Sequence, residues 1–116
     1  MYKKGNKAGQ NKYGNIRAHG FDSRKEEARW HILQAREKAG EISGLQRQVP
    51  VQLIPAQYIN GKCVERGVKY VADFVYIEDG ELIYEDVKSK ITRQNREYVL
   101  KRKLLLYIHN IRLREE

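Results

Sequence analysis

The spacing of apolar residues changes several times along this chain, and each change marks an element. Ser23 stands three residues before Glu26, the spacing of a capping box in which each side chain satisfies the other's free backbone amide. The helix opened there is expected to run to about Ala39, with Gly40 as its left-handed C-terminal cap. Glu27, His31, Gln34 and Lys38 share its polar side, whereas Glu26 projects with Trp30 and Leu33 toward the expected core. From Arg47 the period becomes two. Val49, Val51 and Leu53 alternate with Gln48, Pro50 and Gln52, which predicts a half-buried strand, with Pro50 marking an edge or a bulge. Asn60-Gly61 is a hairpin turn signal. Residues 68–77 are apolar on both faces apart from Lys69 and Asp73, as in a central strand, and Asp79-Gly80 returns the chain into a paired strand over 82–88. Thr92 or Asn95 can cap a second helix in which Val99, Leu100, Lys103, Leu104 and Ile108 recur at three- and four-residue spacing. His109-Asn110 reads as its stop, and the alternation Ile111-Arg112-Leu113-Arg114 predicts a short last strand. The expected architecture is α/β: helix, three strands, helix, strand, around a mixed central sheet.

Composition narrows the partners. The chain has 116 residues, a length suited to one domain. No apolar run approaches the ~20 residues of a membrane-spanning helix, and the basic start, Met1-Tyr2-Lys3-Lys4, leads into no apolar segment of a secretory signal. A cytoplasmic protein without membrane contact is expected. The single cysteine, Cys63, excludes an internal disulfide, and it reads as a half-buried small residue rather than a nucleophile. His19, His31 and His109 lack mutual metal-ligand spacing. The formal net charge is +8, but it is unevenly placed. Residues 1–20 hold five basic side chains (Lys3, Lys4, Lys7, Lys12 and Arg17) and no acid; residues 21–90 hold 11 basic and 12 acidic; residues 91–116 hold seven and three. Residues 1–20 read as a flexible basic arm ahead of a domain over 21–116. Basic ends around a slightly acidic middle suit a protein gripping a phosphate backbone, although a solvated tail and a solvated helix face would give the same count.

The acidic middle contains one local conflict. Asp73 lies within Tyr70-Val71-Ala72-Asp73-Phe74-Val75-Tyr76, where every neighbour favours burial, and a buried carboxylate needs a partner or a metal. The next strand offers Asp86 and Lys88, two apart and therefore on one face, with Glu85 on the other. If Asp73 and Asp86 converge, two carboxylates and an ammonium share a small volume. That group suits metal-assisted phosphodiester hydrolysis: hard oxygen ligands for Mg²⁺, a further ligand from the Val87 carbonyl, and Lys88 to orient or deprotonate the attacking water. Glu26 could add a third carboxylate. The competing reading is a structural Asp73–Lys88 salt bridge in a non-catalytic nucleic-acid-binding protein, with RNA as an alternative ligand.

Asp73 followed by Asp86-Val87-Lys88, on a hairpin behind a glutamate-bearing helix, resembles the PD-(D/E)xK nuclease superfamily. Phe21-Asp22-Ser23-Arg24-Lys25-Glu26, Lys38-Ala39-Gly40-Glu41-Ile42, Tyr70-Val71-Ala72-Asp73-Phe74 and Tyr98-Val99-Leu100-Lys101-Arg102-Lys103 further resemble a family of small phage-encoded proteins, mostly of unknown function. The resemblance implies a restriction-endonuclease-like core like that of Holliday-junction resolvases. It also implies metal-binding acids at Asp73 and Asp86, a catalytic lysine at Lys88, a helix glutamate at Glu26 and a supporting glutamine at Gln48. Ala72 stands where the name-giving proline would be, and Asp86 where glutamate is commoner. The implied function is a Mg²⁺-dependent endodeoxyribonuclease, with Mn²⁺ as the substitute metal. Branched or recombination DNA is the expected substrate, cut by a homodimer inside the host cell. Lys101 and Arg102 on the second helix, with the basic arm, are the expected phosphate contacts, Lys103 being turned inward.

Overall fold

A computed structural model of the protein describes residues 23–88 and 93–116. The basic arm with Lys3, Lys4, Lys7, Lys12 and Arg17, and the candidate cap Thr92, lie outside the described residues. Helix α1 (Arg24–Lys38) is followed by strands β1 (Ser43–Ile54), β2 (Gln57–Ile59), β3 (Lys62–Glu65), β4 (Val68–Glu78) and β5 (Glu81–Asp86). Helix α2 (Arg96–His109) and the short strand β6 (Arg114–Glu115) complete the domain. The main sheet has the order β1-β4-β5-β6, with antiparallel neighbours except for the parallel pair β5–β6. The expected order of helix, three strands, helix and strand therefore describes this sheet. β2 and β3 form a separate hairpin between β1 and β4, every residue of which is exposed. Gly67 fits closely at the hairpin base, where a Cβ would lie 3.0 Å from the Ile54 carbonyl oxygen.

The local signals act as the residues require. Ser23 Oγ accepts the Glu26 amide at 3.1 Å, and Gly40 and Glu41 close α1 by donating to the Glu37 and Arg36 carbonyls. Asn95 caps α2 through the Tyr98 amide, and Asn110 ends it in the left-handed region at φ 58°. Both hairpin turns, Asn60-Gly61 and Asp79-Gly80, have two consecutive positive φ angles, as a two-residue turn matched to strand twist demands. Pro50 lies on β1, an edge strand, as expected. The last strand forms three residues later than the alternation from Ile111 predicts, because Leu113 is drawn into the core and the ladder to β5 begins at Arg114.

Core residues fall into two sets on opposite faces of the sheet. Tyr70, Ala72, Val75, Leu53 and Leu113 pack with Tyr98 and Leu105 of α2. Phe74, Tyr76 and Ile42 pack with Leu33 of α1, and Trp30 stacks on Phe74 at 5.8 Å. Each large apolar side chain so buried contributes about 1.5–3 kcal/mol. The sets reveal a switch of face. On β4, Tyr70 and Ala72 face α2, yet Phe74 and Tyr76, of the same parity, face α1. On β1, Val49 and Val51 pack on the α2 side, whereas Leu45 packs on the α1 side and Arg47 lies over the Trp30 ring. The paired register continues from Arg47↔Phe74 to Val49↔Ala72, so both strands change parity at one rung, that of Gln48 and Asp73. Gln48 makes the change with φ 53°, a left-handed conformation costing a non-glycine residue on the order of 1 kcal/mol or more.

Candidate functional site

The β4–β5 ladder ends at the same place. Phe74↔Glu85 is its last backbone pair, which sets Asp73 opposite Asp86. Beyond it, side chains continue the pairing: Asp86 Oδ1 accepts the Asp73 amide at 2.9 Å, and Asp73 Oδ2 accepts the Val87 amide at 2.9 Å. Each carboxylate therefore satisfies a backbone amide at a point where the strands part. On its opposite edge β5 pairs with β6, where Glu116 N–H donates to the Asp86 carbonyl and Lys88 N–H to that of Glu116.

Asp73, Asp86, Val87 and Lys88 are thus brought together, as the spacing of the two motifs anticipates. Asp73 is half-buried rather than fully enclosed, because the change of parity places it at the rim. Asp86 is fully buried. Among the described residues its Oδ2 has no hydrogen-bond partner; the Lys88 ammonium lies 3.4 Å away, at ion-pair distance but without hydrogen-bond alignment. Burial raises the Asp86 carboxyl above the usual aspartate range, against the pull of the Lys88 charge and the Asp73 amide. Lys88 is in turn held 5.3 Å from the Tyr98 ring centroid, a cation–π contact.

Glu26 and Gln48 form a second pair. Glu26 is buried, and its carboxylate accepts Gln48 Nε2 at 3.0 Å. Since Gln48 occupies the rung of Asp73, the hydrogen bond ties the first turn of α1 to the edge of the site. Among the described residues no group of three or more His, Cys, Asp or Glu is gathered closely enough to hold a metal ion alone. The side-chain ligands available are accordingly Asp73 and Asp86, with Glu26 set behind Gln48. This donor set fits Mg²⁺, which takes one or two carboxylates and fills its octahedron with water and substrate oxygen. The buried Oδ2 of Asp86, which has an ion-pair neighbour but no hydrogen bond among the described residues, is the atom such an ion would satisfy.

The second helix corrects the expected orientation. Lys103 is exposed, whereas Lys101 and Arg102 are half-buried, because Tyr98 and Leu105 rather than Val99, Leu100 and Lys103 form the inner face. Lys101 pairs with Glu97 at 3.1 Å, and Arg102 lies 3.7 Å from Glu115 and over the Tyr98 ring. Cys63 is exposed rather than half-buried.

Reasoning from the sequence passed over the residues that hold the other face. Arg29 of α1 makes a bidentate pair with fully buried Glu85, through Nε at 2.6 Å and Nη2 at 3.0 Å. Tyr76 donates its hydroxyl to the same carboxylate, and Arg114 joins Tyr76 to Glu78. The hydrogen bond to Glu85 holds the Arg29 guanidinium charged far above any working pH. Two consecutive acids, Glu85 and Asp86, on a strand covered on both faces were the available signal, since one must enter each face.

Among the described residues no helix is long and apolar enough to cross a membrane. A family model described as "Protein of unknown function (DUF1064)" matches residues 6–114, nearly the whole chain. No curated protein matches it.

Proposed function

The chain belongs to that family, and on this premise we propose that it is a metal-dependent DNA endonuclease with a restriction-endonuclease-like core. Its site would be of the PD-(D/E)xK type, acting on branched or recombination DNA as a homodimer in a phage-infected cell. The observation that carries the reading is the buried Asp86 oxygen without a hydrogen-bond partner, beside the Lys88 ammonium and opposite Asp73. A buried carboxylate oxygen that has an ion-pair neighbour but no aligned hydrogen bond is incompletely satisfied, at a cost of about 1–3 kcal/mol that a bound cation would relieve.

Asp73, Asp86 and the Val87 carbonyl would hold Mg²⁺ or Mn²⁺, with Glu26 reaching it through water. A bound Mg²⁺ supplies an acidified water and neutralises charge on the phosphoryl oxygens. Lys88 would orient the attacking water and hold or release its proton at Nζ. Asp73, at the rim, leaves the site open to a phosphodiester, while the Gln48–Glu26 bond fixes the helix that borders it. A compact domain of this size suits recognition of DNA shape over a long base sequence.

The test is incubation of the protein with a four-way junction, a flap and a linear duplex in Mg²⁺, with Lys88→Ala as control. Strand cleavage by the wild type, abolished by chelation and by Lys88→Ala, is expected. Cleavage of none of the three, or equal cleavage by Lys88→Ala, overturns the reading and leaves the carboxylates as caps on parted strands.

A further inference from the structure

Lys88 faces two ways. Its ammonium neighbours Asp86, and the residue also lines an open groove of about 670 Å³ between the start of β4 and the first turns of α2. Lys69 and Tyr70 of β4 and Glu97, Tyr98 and Lys101 of α2 line the same groove. Three of these side chains are ammonium groups, each from a different element. Lys69 is exposed and has no ion-pair partner among the described residues. Among the described residues Lys101 is paired only with Glu97, whose side chain is 76 % exposed. Such a surface pair within one helix is worth a few tenths of a kcal/mol, so an incoming anion can compete for the lysine.

A second feature points to a ligand. Tyr70 is 6 % exposed, with its ring 6.4 Å from that of Tyr98, and its buried hydroxyl has no hydrogen-bond partner among the described residues. A buried phenol usually finds an acceptor, and one left without costs free energy in the unliganded protein. The groove therefore combines unspent positive charge with an unspent donor. An anion with several acceptor oxygens satisfies both.

We propose that this groove binds a backbone phosphate of the nucleic-acid strand, flanking the phosphodiester at Lys88, with Tyr70 as hydrogen-bond donor and Lys69 and Lys101 as its charge partners. The inference rests on the nuclease reading only for the identity of the phosphate at Lys88. Binding in the groove requires no cleavage. The arrangement also gives direction, since a strand lying in it passes from Asp86 and Lys88 toward Gly67 and the base of the exposed β2–β3 hairpin.

The experiment is equilibrium binding of a fluorescein-labelled four-way junction to the full chain in EDTA, repeated over a series of KCl concentrations. Wild type is compared with Lys69→Gln, the double variant Lys69→Gln/Lys101→Gln, and Tyr70→Phe. Each lysine removed should flatten the plot of log affinity against log salt by about 0.7–0.9. Tyr70→Phe should weaken binding roughly tenfold with the slope unchanged, because a neutral hydroxyl releases no counterion. Its melting temperature should not fall, since the lost hydroxyl has no hydrogen-bond partner among the described residues; a fall would make the hydroxyl structural and overturn its role. A double variant with wild-type slope and affinity overturns the groove, even if the wild type cleaves junctions in Mg²⁺. A flattened slope without any cleavage in Mg²⁺ supports the groove and overturns the nuclease reading.

Discussion

Glu85 and Asp86 are neighbours on one strand, both fully buried, and they face opposite sides of the sheet. Glu85 meets α1 and is saturated: both oxygens accept from Arg29, and one of them also accepts from Tyr76. Asp86 meets the α2 side and is left incomplete, with one oxygen on the Asp73 amide and the other near Lys88 without a hydrogen bond. Burial therefore does not distinguish the two acids; completeness of their hydrogen-bond partners does. The Glu85 side closes into a network through Tyr76, Arg114, Glu78 and Arg36, which joins both ends of the domain to the sheet. The Asp86 side opens onto a rim and a basic groove.

Replacing Asp86 by Asn should break the comparison most visibly. Junction cleavage in Mg²⁺ should fall by at least about 100-fold, as expected for loss of a metal-binding or proton-handling group. Unfolding in urea should show stability no lower than wild type, because Asn retains an acceptor for the Asp73 amide and removes a buried charge. Equal destabilisation by Asp86→Asn and Glu85→Gln would erase the distinction between the two faces.

Arg29→Ala tests the saturated face. Removing one partner leaves Glu85 charged and buried, and the expected loss is about 3–5 kcal/mol by urea unfolding. A loss below about 1 kcal/mol would show that solvent reaches Glu85.

Acid should affect the two faces with opposite signs. The Asp86 carboxyl is raised in the folded protein, chiefly by burial, so its stabilising contribution is full below the unfolded aspartate range and lost as pH rises through the folded value. In chelator, the stability advantage of Asp86→Asn over wild type should therefore shrink as pH falls from 7 toward about 4. Glu78 runs the other way. The hydrogen bond from Arg114, and then that from Arg36, hold its carboxyl below the usual range. Its contribution is present above the unfolded glutamate range and lost as pH falls through the depressed value, so the gap between wild type and Glu78→Gln should narrow in acid from the opposite sign. Melting curves of the two variants across this range check both slopes.

The smallest effect concerns the support of Lys88. Asn95→Ala removes the cap of α2 and should cost about 1 kcal/mol in thermal unfolding, fraying the turn that carries Tyr98 over the Lys88 ammonium. A change within a few tenths of a kcal/mol would place the anchor of α2 in Leu105 and its neighbours instead.

Much of this was written locally. The capping serine and asparagine, the two turn dipeptides, the proline on an edge strand and the two-sided apolar run of β4 each act over a few residues, where propensity and periodicity suffice. The convergence of Asp73 with Asp86 was also legible, because a tight turn at Asp79-Gly80 determines which residues of a hairpin stand opposite one another. The inner face of α2 was not. Its apolar residues are spread around the helix, and packing against Tyr70 and Leu53 selected Tyr98 and Leu105 while leaving Leu100 and Tyr107 outside.

What the sequence by itself determined is the identity and order of the elements and the hairpin that pairs the two acids. The tertiary structure decided which face each acid enters and whether its oxygens are satisfied. Alternation along a strand is a local rule that assumes a constant face, and here both β1 and β4 reverse parity at Gln48 and Asp73, through a left-handed glutamine that no propensity announces. Partners drawn from α1 and α2 then completed one carboxylate and left the other open, because such contacts depend on how helices seat against the sheet and not on any spacing along the chain.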